Sequence, residues 1–202
     1  METIWEIVEG LRQQYLSLRD GYLPVDILSL VEIDLKLDVI PFDELNNKYN
    51  VEAALRADFT GIYVDAETYE DLDHGPPWKL KRLRFSLAHE LGHLFMHRDL
   101  PQSKNFASLP DFARWVENFD DASPSRKNRA EWEAHEFAGR LLVPVDRLQE
   151  FYDQFKTSMS STFPTLPFSL REPFCESAAG KFGVNSQVIS IRLDREGIWP
   201  AG

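Results

Sequence analysis

Residues 82–97 of the chain read RLRFSLAHELGHLFMH, and this stretch is predicted to form one helix of about four turns. His89 and His93 lie four residues apart, so their imidazoles project from the same face of the helix. Glu90 lies about 100° from His89 around the helix, within reach of a water on a metal held by the two histidines. The apolar residues at helical spacing would face a core; they are Leu83, Leu87, Leu91, Leu94 and Phe95. The stretch therefore contains a His-Glu-x-x-His pattern, which supplies two metal ligands and a carboxylate base.

The surroundings of this pattern favour a metal site over the alternative, which is a polar stripe on an ordinary helix. The bare pattern recurs by chance and does not decide between the two. Here it lies in a strongly apolar run, where two histidines and a glutamate would be costly to bury without a partner. A bound zinc ion would supply that partner.

A catalytic zinc needs a third protein ligand and an open position for water. Asp99 lies ten residues after His89, a spacing that suits peptidases whose helix breaks at a glycine, but this chain has the helix former Met96 at that position. His97 is two turns from His89, about 12 Å along the helix axis, which is too far to share one ion. The remaining candidates lie in a second stretch, residues 129–144.

This second stretch reads RAEWEAHEFAGRLLVP and is also predicted to be helical. Small residues on the two helices would let them approach closely; they are Ala88, Gly92, Ala134 and Ala138. A carboxylate that binds zinc from another helix at about 2.0–2.2 Å requires such an approach. Glu131 shares a face of the second helix with Ala134 and Ala138 and is the first candidate for the third ligand. Glu133 is the second candidate.

The block RLRFSLAHELGH, followed at residues 131–144 by E-x-x-A-x-x-F-A-x-x-L-L-V-P, resembles the ImmA/IrrE family of zinc metallopeptidases. The resemblance implies that His89, His93 and Glu131 bind zinc, with manganese as an alternative ion, and that Glu90 is the catalytic residue. One position departs from the family pattern. The residue four after the third ligand is usually Asn or Asp, and this chain has His135 there.

The same resemblance implies a function and a setting. Family members cleave or inactivate transcriptional repressors, often of helix-turn-helix type, in bacteria or phages. This triggers the excision of mobile elements or a stress response to DNA damage. The expected partner is therefore a protein substrate, such as a repressor or an antitoxin-like regulator.

The predicted fold class is α+β and zincin-like, with a small twisted sheet packed against helices that include the His-Glu-x-x-His helix. Residues 1–202 are expected to form a single metallopeptidase domain. Residues 157–169 are rich in Ser, Thr and Pro and are interpreted as a linker or mobile loop. Residues 170–199 are predicted to form a C-terminal helical segment that resembles a helix-turn-helix, with its turn at residues 183–186.

N-terminal to the His-Glu-x-x-His helix, residues 3–19 and 23–36 are predicted to be helices. Residues 37–42 are predicted to be a strand, and Pro41 favours an edge position for it. Residues 51–57 suggest a short helix, and residues 59–65 alternate as a strand does. This strand is expected either to hold an extended substrate at its edge or to be a buried strand that makes no substrate contact.

Two connecting segments complete the prediction. Residues 65–78 are interpreted as a polar loop before the first metal helix. The long connection 98–125 is expected to carry a helix near 110–118 and to border the cleft.

The composition bounds the class of protein. Lys and Arg number 22 against 33 Asp and Glu, a net charge of −11, which argues against nucleic acid as a general partner. The single Cys175 excludes an intrachain disulfide and fits a reducing compartment. The N-terminal sequence lacks a basic region typical of signal peptides, and no apolar run is long enough to cross a membrane. We therefore expect a cytoplasmic protein.

Two functions are compatible with these residues. In a zinc-dependent endopeptidase, Glu90 acts as base, and His135, His97 or Tyr63 contributes a donor for the oxyanion or orients a ligand. In a zinc-containing binding module, His135 closes the site as a fourth ligand, and the protein antagonises its regulatory partner without proteolysis. Glu90 favours the endopeptidase because a purely structural zinc does not need it.

Overall fold

The computed structural model describes residues 2–16, 23–49, 51–56, 58–72, 74–98, 124–163 and 166–199. The helices are α1 (Glu2–Leu11), α2 (Ile27–Ser29), α3 (Leu45–Tyr49), α4 (Ala66–Glu70), α5 (Pro77–Met96), α6 (Pro124–Leu142), α7 (Val145–Met159), α8 (Arg171–Phe182) and α9 (Ser186–Glu196). The strands are β1 (Asp38–Phe42), β2 (Ala53–Leu55) and β3 (Gly61–Asp65). The predicted α+β class is confirmed.

The three described strands form a sheet in the order β1-β3-β2, with β1 parallel and β2 antiparallel to β3. Pro41 therefore lies in an edge strand, as predicted. The prediction of a helix at residues 51–57 is wrong. Ala53, Ala54 and Leu55 are all buried and pair with β3, so tertiary pairing overrides their local helix propensity.

The order of the strands also corrects the expected substrate edge. Residues 59–65 contain β3, which is paired on both sides and offers no free edge. The edge beside α5 belongs to β2. Two backbone hydrogen bonds flank the pairing of β2 with β3: the Arg56 N–H donates to the Gly61 carbonyl, and the Asp65 N–H donates to the Glu52 carbonyl. Alternate residues of the segment 52–56 therefore direct their backbone groups toward β3. The backbone groups of Ala53 and Leu55 consequently face outward.

Helix α5 lies at the centre of the apolar core. It begins at Pro77, five residues before the predicted helix, because proline suits the first turn, where a backbone N–H needs no intrahelical acceptor. The predicted apolar face is buried at Leu83, Leu87, Leu91 and Leu94. These side chains join one core with Ile62 and Val64 from β3, and with apolar residues of α1, α2 and α6 to α9.

Several N-terminal boundaries differ from the prediction. Helix α1 ends at Leu11 and continues as one π-helical turn at Arg12–Leu16, and α2 likewise continues as a π-helical turn at Leu30–Asp34. The polar loop predicted at residues 65–78 contains the short helix α4, whose first turn is capped by the Asp65 carboxylate on the Thr68 N–H. This cap is the local signal that the prediction missed.

The C-terminal helices are present as predicted, with Gly183 in the left-handed conformation ending α8. Helix α7 runs to Met159, so the first residues of the stretch interpreted as a linker are helical. Phe168–Leu170 near its end form a 3₁₀ turn. The segment predicted to carry a helix near 110–118 lies outside the described residues. Among the described helices, none has the length and apolar character needed to cross a bilayer.

Helices α5 and α6 approach each other closely at Gly92. A Cβ atom placed on Gly92 would lie 2.9 Å from the Cα and 3.2 Å from the Cβ of Ala134. Both values are shorter than ordinary van der Waals contacts, and the nearest atom is backbone, which cannot rotate away. The small residues predicted to allow a close approach are therefore required at this crossing.

Gly92→Ala is expected to destabilise the protein by about 1–3 kcal/mol because the added methyl group must push α6 away. Gly180→Ala in α8 is the matched control, since a Cβ there meets no atom within 4 Å. The control should stabilise by about 0.5–1 kcal/mol, the usual gain of alanine over glycine in a helix. Denaturant unfolding measures both. If Gly92→Ala were as stable as Gly180→Ala, the close contact would be disproved.

Candidate metal centre

His89 and His93 on α5 face Glu131 on α6. The two Nε2 atoms lie 3.0 Å apart. The Glu131 carboxylate places Oε2 3.2 Å from His89 Nε2 and Oε1 3.6 Å from His93 Nε2. The imidazoles are largely buried, at 11% and 12% exposure, whereas Glu131 is 39% exposed. The structure thus brings together the three side chains that the resemblance assigns to zinc.

The charge on Glu131 suits a metal ligand. Burial alone would raise the pKa of its carboxyl, but the bonds from His89 and His93 outweigh burial and hold this pKa far below its ordinary value. Burial likewise acts to lower the pKa of His93, and the Glu131 and Glu90 carboxylates outweigh it and raise that pKa. The site therefore holds a firmly ionised carboxylate, the state in which a glutamate binds a cation.

The donor set fits zinc in chemistry and in spacing. Two imidazole nitrogens and one carboxylate are the ligands of many catalytic zinc sites. Tetrahedral ligands at about 2.0–2.2 Å from an ion lie about 3.3–3.6 Å from each other, and the donor atoms here are 3.0 to 3.6 Å apart. His89, His93 and Glu131 need little rearrangement to hold such an ion.

Glu90 is held by the edge strand. The Leu55 N–H, which faces outward from β2, donates to Glu90 Oε2 over 2.8 Å. Burial raises the pKa of the Glu90 carboxyl, while His89, His93 and this N–H act to lower it, and burial prevails. This carboxyl is thus fixed beside the histidine pair, with an affinity for protons above that of an ordinary glutamate.

His135 is a fourth member of this cluster. Its Nδ1–H donates to the Glu131 backbone carbonyl over 2.8 Å, and because a carbonyl only accepts, the neutral ring must carry its lone pair on Nε2. Its ring centroid lies 4.5 Å from that of His89. Donor atoms of His135, His89 and Glu131 lie within 4.8 Å of one another. His135 is therefore placed either as a further ligand or as a hydrogen-bond partner of a bound group.

His97 does not have a free nitrogen for an oxyanion. Its Nδ1 lies 3.0 Å from His93 Nδ1, and its Nε2 lies 3.0 Å from Glu133 Oε2. These contacts favour the second predicted role of His97, orientation of a ligand, over that of an oxyanion donor. Glu133, the second candidate for the third ligand, contacts His97 instead of the histidine pair.

The structure does not bring Tyr63 to the cluster. Side chains alternate along β3, so Ile62 and Val64 enter the main core with α5, and Tyr63 lies on the opposite face of the sheet. There its ring packs edge-on against Phe42 at a centroid distance of 5.5 Å. Tyr63 is therefore no oxyanion candidate. Asp99, the other carboxylate weighed as a ligand, lies outside the described residues.

Sequence reasoning missed the Leu55 N–H and the partnership of His97 with Glu133. Both are contacts between distant parts of the chain, made by a backbone group in one case and by two helices in the other. A strand assignment at residues 53–55 would have indicated the first contact. The second had no local signal.

Comparisons with known proteins show a fold likeness and a family membership. None of the curated proteins compared with the chain gives a significant sequence match. Among solved structures, a Mycobacterium tuberculosis transcriptional regulator is similar to it, with a TM-score of 0.50 and 18% identity, over 96% of this chain and 47% of that one. This chain thus spans about half the length of that regulator, and the likeness concerns the fold alone.

The family comparison covers almost all of α5 and the whole of α6. The family model of Peptidase_M78, described as the IrrE N-terminal-like domain, matches residues 79–194. This interval is more than half of the chain and contains His89, Glu90, His93 and Glu131. The chain therefore belongs to the Peptidase_M78 family.

Proposed function

We propose that this chain is a zinc-dependent endopeptidase that cleaves a regulatory protein, such as a helix-turn-helix repressor. One observation carries the proposal: the Glu131 carboxylate lies within 3.2 and 3.6 Å of the two histidine Nε2 atoms, with Glu90 fixed at their side by the Leu55 N–H. Membership of a peptidase family supports it. Manganese is an alternative ion for the same donors.

His89, His93 and Glu131 would hold the ion, and Glu90 would move the protons. Zinc at such a site supplies Lewis acidity, which polarises a peptide carbonyl and lowers the pKa of water. Glu90 takes a proton from the attacking water and delivers it to the nitrogen of the departing amine. Its raised pKa suits the first step, because a carboxylate of ordinary pKa is a weak base near neutral pH.

His135 is the best-placed residue to contact the reacting group. It lies beside His89 and Glu131, and its Nδ1 bond to the Glu131 carbonyl fixes the ring orientation. In a protonated ring, Nε2–H would donate to an oxyanion, and in a neutral ring Nε2 would accept from a water. Burial lowers the pKa of His135, so the accepting role fits better near neutral pH.

The outer edge of β2 is the proposed binding place for the substrate backbone. Ala53 and Leu55 direct their backbone groups away from β3, toward the side on which Glu90 lies. An extended peptide that pairs with this edge would enter beside the metal ligands. Glu90 occupies the Leu55 N–H, so the peptide would pair through the remaining groups.

The charge of the chain fits a basic partner. A net charge of −11 repels nucleic acid and attracts proteins with a positive surface. Repressors that grip phosphate backbones carry such surfaces. A regulator encoded beside this chain's gene is therefore the first substrate to test.

The ligand set is tested by zinc content. Glu131→Ala should leave substoichiometric zinc after dialysis against a mild chelator because two histidines alone bind the ion weakly. Asp99→Ala should retain one zinc per chain. Elemental analysis by mass spectrometry measures both variants beside the unchanged protein. Loss of zinc from Asp99→Ala, with full zinc in Glu131→Ala, would transfer the third ligand to Asp99.

Glu90→Gln tests the base. The glutamine amide oxygen still accepts from the Leu55 N–H, so the variant should keep one zinc per chain, yet it should cleave the regulator at least about 10²-fold more slowly. Fragments are identified by mass spectrometry after incubation with zinc. Glu176→Gln on α8 is the control, as an exposed carboxylate remote from the site, and should cleave normally. Equal cleavage by Glu90→Gln would show that Glu90 is not the base.

A second function, the zinc-containing binding module, is favoured by the position of His135. If His135 Nε2 were a fourth ligand, the zinc would be closed to water, and the protein would act on its partner by association alone. X-ray absorption of the zinc protein counts the imidazoles. The proposed endopeptidase requires two in the unchanged protein and two in His135→Asn. Three imidazoles, reduced to two in His135→Asn, would establish the binding module.

A further inference from the structure

His97 is a buried histidine between the two metal helices. It is 5% exposed, and both its ring nitrogens are engaged, Nδ1 with His93 and Nε2 with Glu133. Glu133 in turn accepts from Arg129 Nε over 2.9 Å. A continuous hydrogen-bond network therefore runs from His93 Nδ1 through His97 and Glu133 to Arg129, which is 79% exposed.

When His93 ligates a metal, the ring hydrogens in this network can be assigned in one consistent way. His93 directs Nε2 toward His89 and Glu131, so Nε2 is the ligating atom and the hydrogen lies on Nδ1. His97 Nδ1 must then accept, which leaves its hydrogen on Nε2. The Glu133 carboxylate only accepts, and it receives this hydrogen. Every donor in this hydrogen-bond network then has an acceptor.

We infer that His97 and Glu133 are positioning residues for the metal ligand His93. The inference rests on the metal site of the proposed function. The two residues hold the His93 ring with Nε2 aimed at His89 and Glu131, and they increase its strength as a ligand through the hydrogen bond on Nδ1. Partners of this kind typically contribute about 10–100-fold to metal affinity.

The contacts of the other histidine show that this support is selective. His89 Nδ1 is buried and has no hydrogen-bond partner among the residues that the structure describes. The Glu133 carboxylate thus acts, through His97, on one of the two histidine ligands only. Removing it should weaken metal binding and leave the His89 side of the site unchanged.

A purely structural role makes a different prediction. His97 also ends α5, with its backbone N–H donating to the His93 carbonyl over 2.9 Å, and the contact with Glu133 ties α5 to α6. If that were the whole role, substitutions would lower the stability of the zinc-free protein. They would not change the zinc affinity of the fraction that remains folded.

The experiment measures zinc affinity of the full chain by competition with a chromophoric chelator. His97→Phe keeps a ring of similar shape but no hydrogen bond, and Glu133→Ala removes the terminal acceptor. Each should weaken zinc binding by about 10–100-fold. Glu133→Gln still accepts from His97 and should recover most of the loss. Arg129→Ala, at the exposed end, should change the affinity little.

Thermal unfolding of each zinc-free variant provides the control for folding, and Glu176→Ala on α8 is the matched substitution of an exposed glutamate. If His97→Phe and Glu133→Ala bind zinc as tightly as the unchanged chain, the inference is overturned, whatever their stability. It is also overturned if Glu133→Gln is as weak as Glu133→Ala, because the hydrogen-bond acceptor would then not be the cause.

Nitrogen-15 NMR of the zinc-bound protein measures directly which ring nitrogen of each histidine carries the hydrogen. His93 should carry its hydrogen on Nδ1 and His97 on Nε2, and a hydrogen on His97 Nδ1 would contradict the inference. The outcome is separable from the proposed function. A chain that binds zinc in this way but cuts no regulator would end the peptidase proposal alone, and a chain that binds no zinc would end both.

Discussion

The crossing of α5 and α6 at Gly92 is the constraint on which the candidate site depends. Gly92 lies between the two histidines on α5, and Ala134, which it touches, lies one turn after Glu131 on α6. The distance between the helix backbones therefore sets the distance between the carboxylate and the imidazoles. Because a glutamate side chain is short, a wider crossing would separate the donors beyond the span of one ion.

The C-terminal helices hold α6 in this position. Glu136 and Arg192 are each 1% exposed and lie 2.9 Å apart, joining α6 to α9. Arg84 on α5 donates to the Gly183 carbonyl in the turn between α8 and α9. Arg195 also bonds to Glu136. Arg192, on the second helix of the C-terminal pair, is thus used inside the protein and is not available to contact a phosphate backbone.

Periodicity and spacing predicted the parts of the structure that are local. Helices α5 and α6 follow from their apolar stripes, and their close approach follows from small residues at matching positions. Residues 53–55 were predicted wrongly because alanine and leucine favour helices, and only pairing with β3 makes them a strand. The bonds from Leu55 to Glu90 and from Glu133 to His97 span 35 and 36 residues. No local pattern encodes such contacts.

The environments of the two carboxylates shift their pKa values in opposite directions. Glu131 receives both imidazoles, and these contacts outweigh its burial and lower its pKa. Glu90 has the same imidazoles nearby but bonds only to a backbone N–H among the described residues, so burial prevails and raises its pKa. A group that remains ionised suits a cation, whereas one that readily accepts a proton suits a base. The two environments thus differ in the direction that the proposed roles require, with Glu131 as ligand and Glu90 as base.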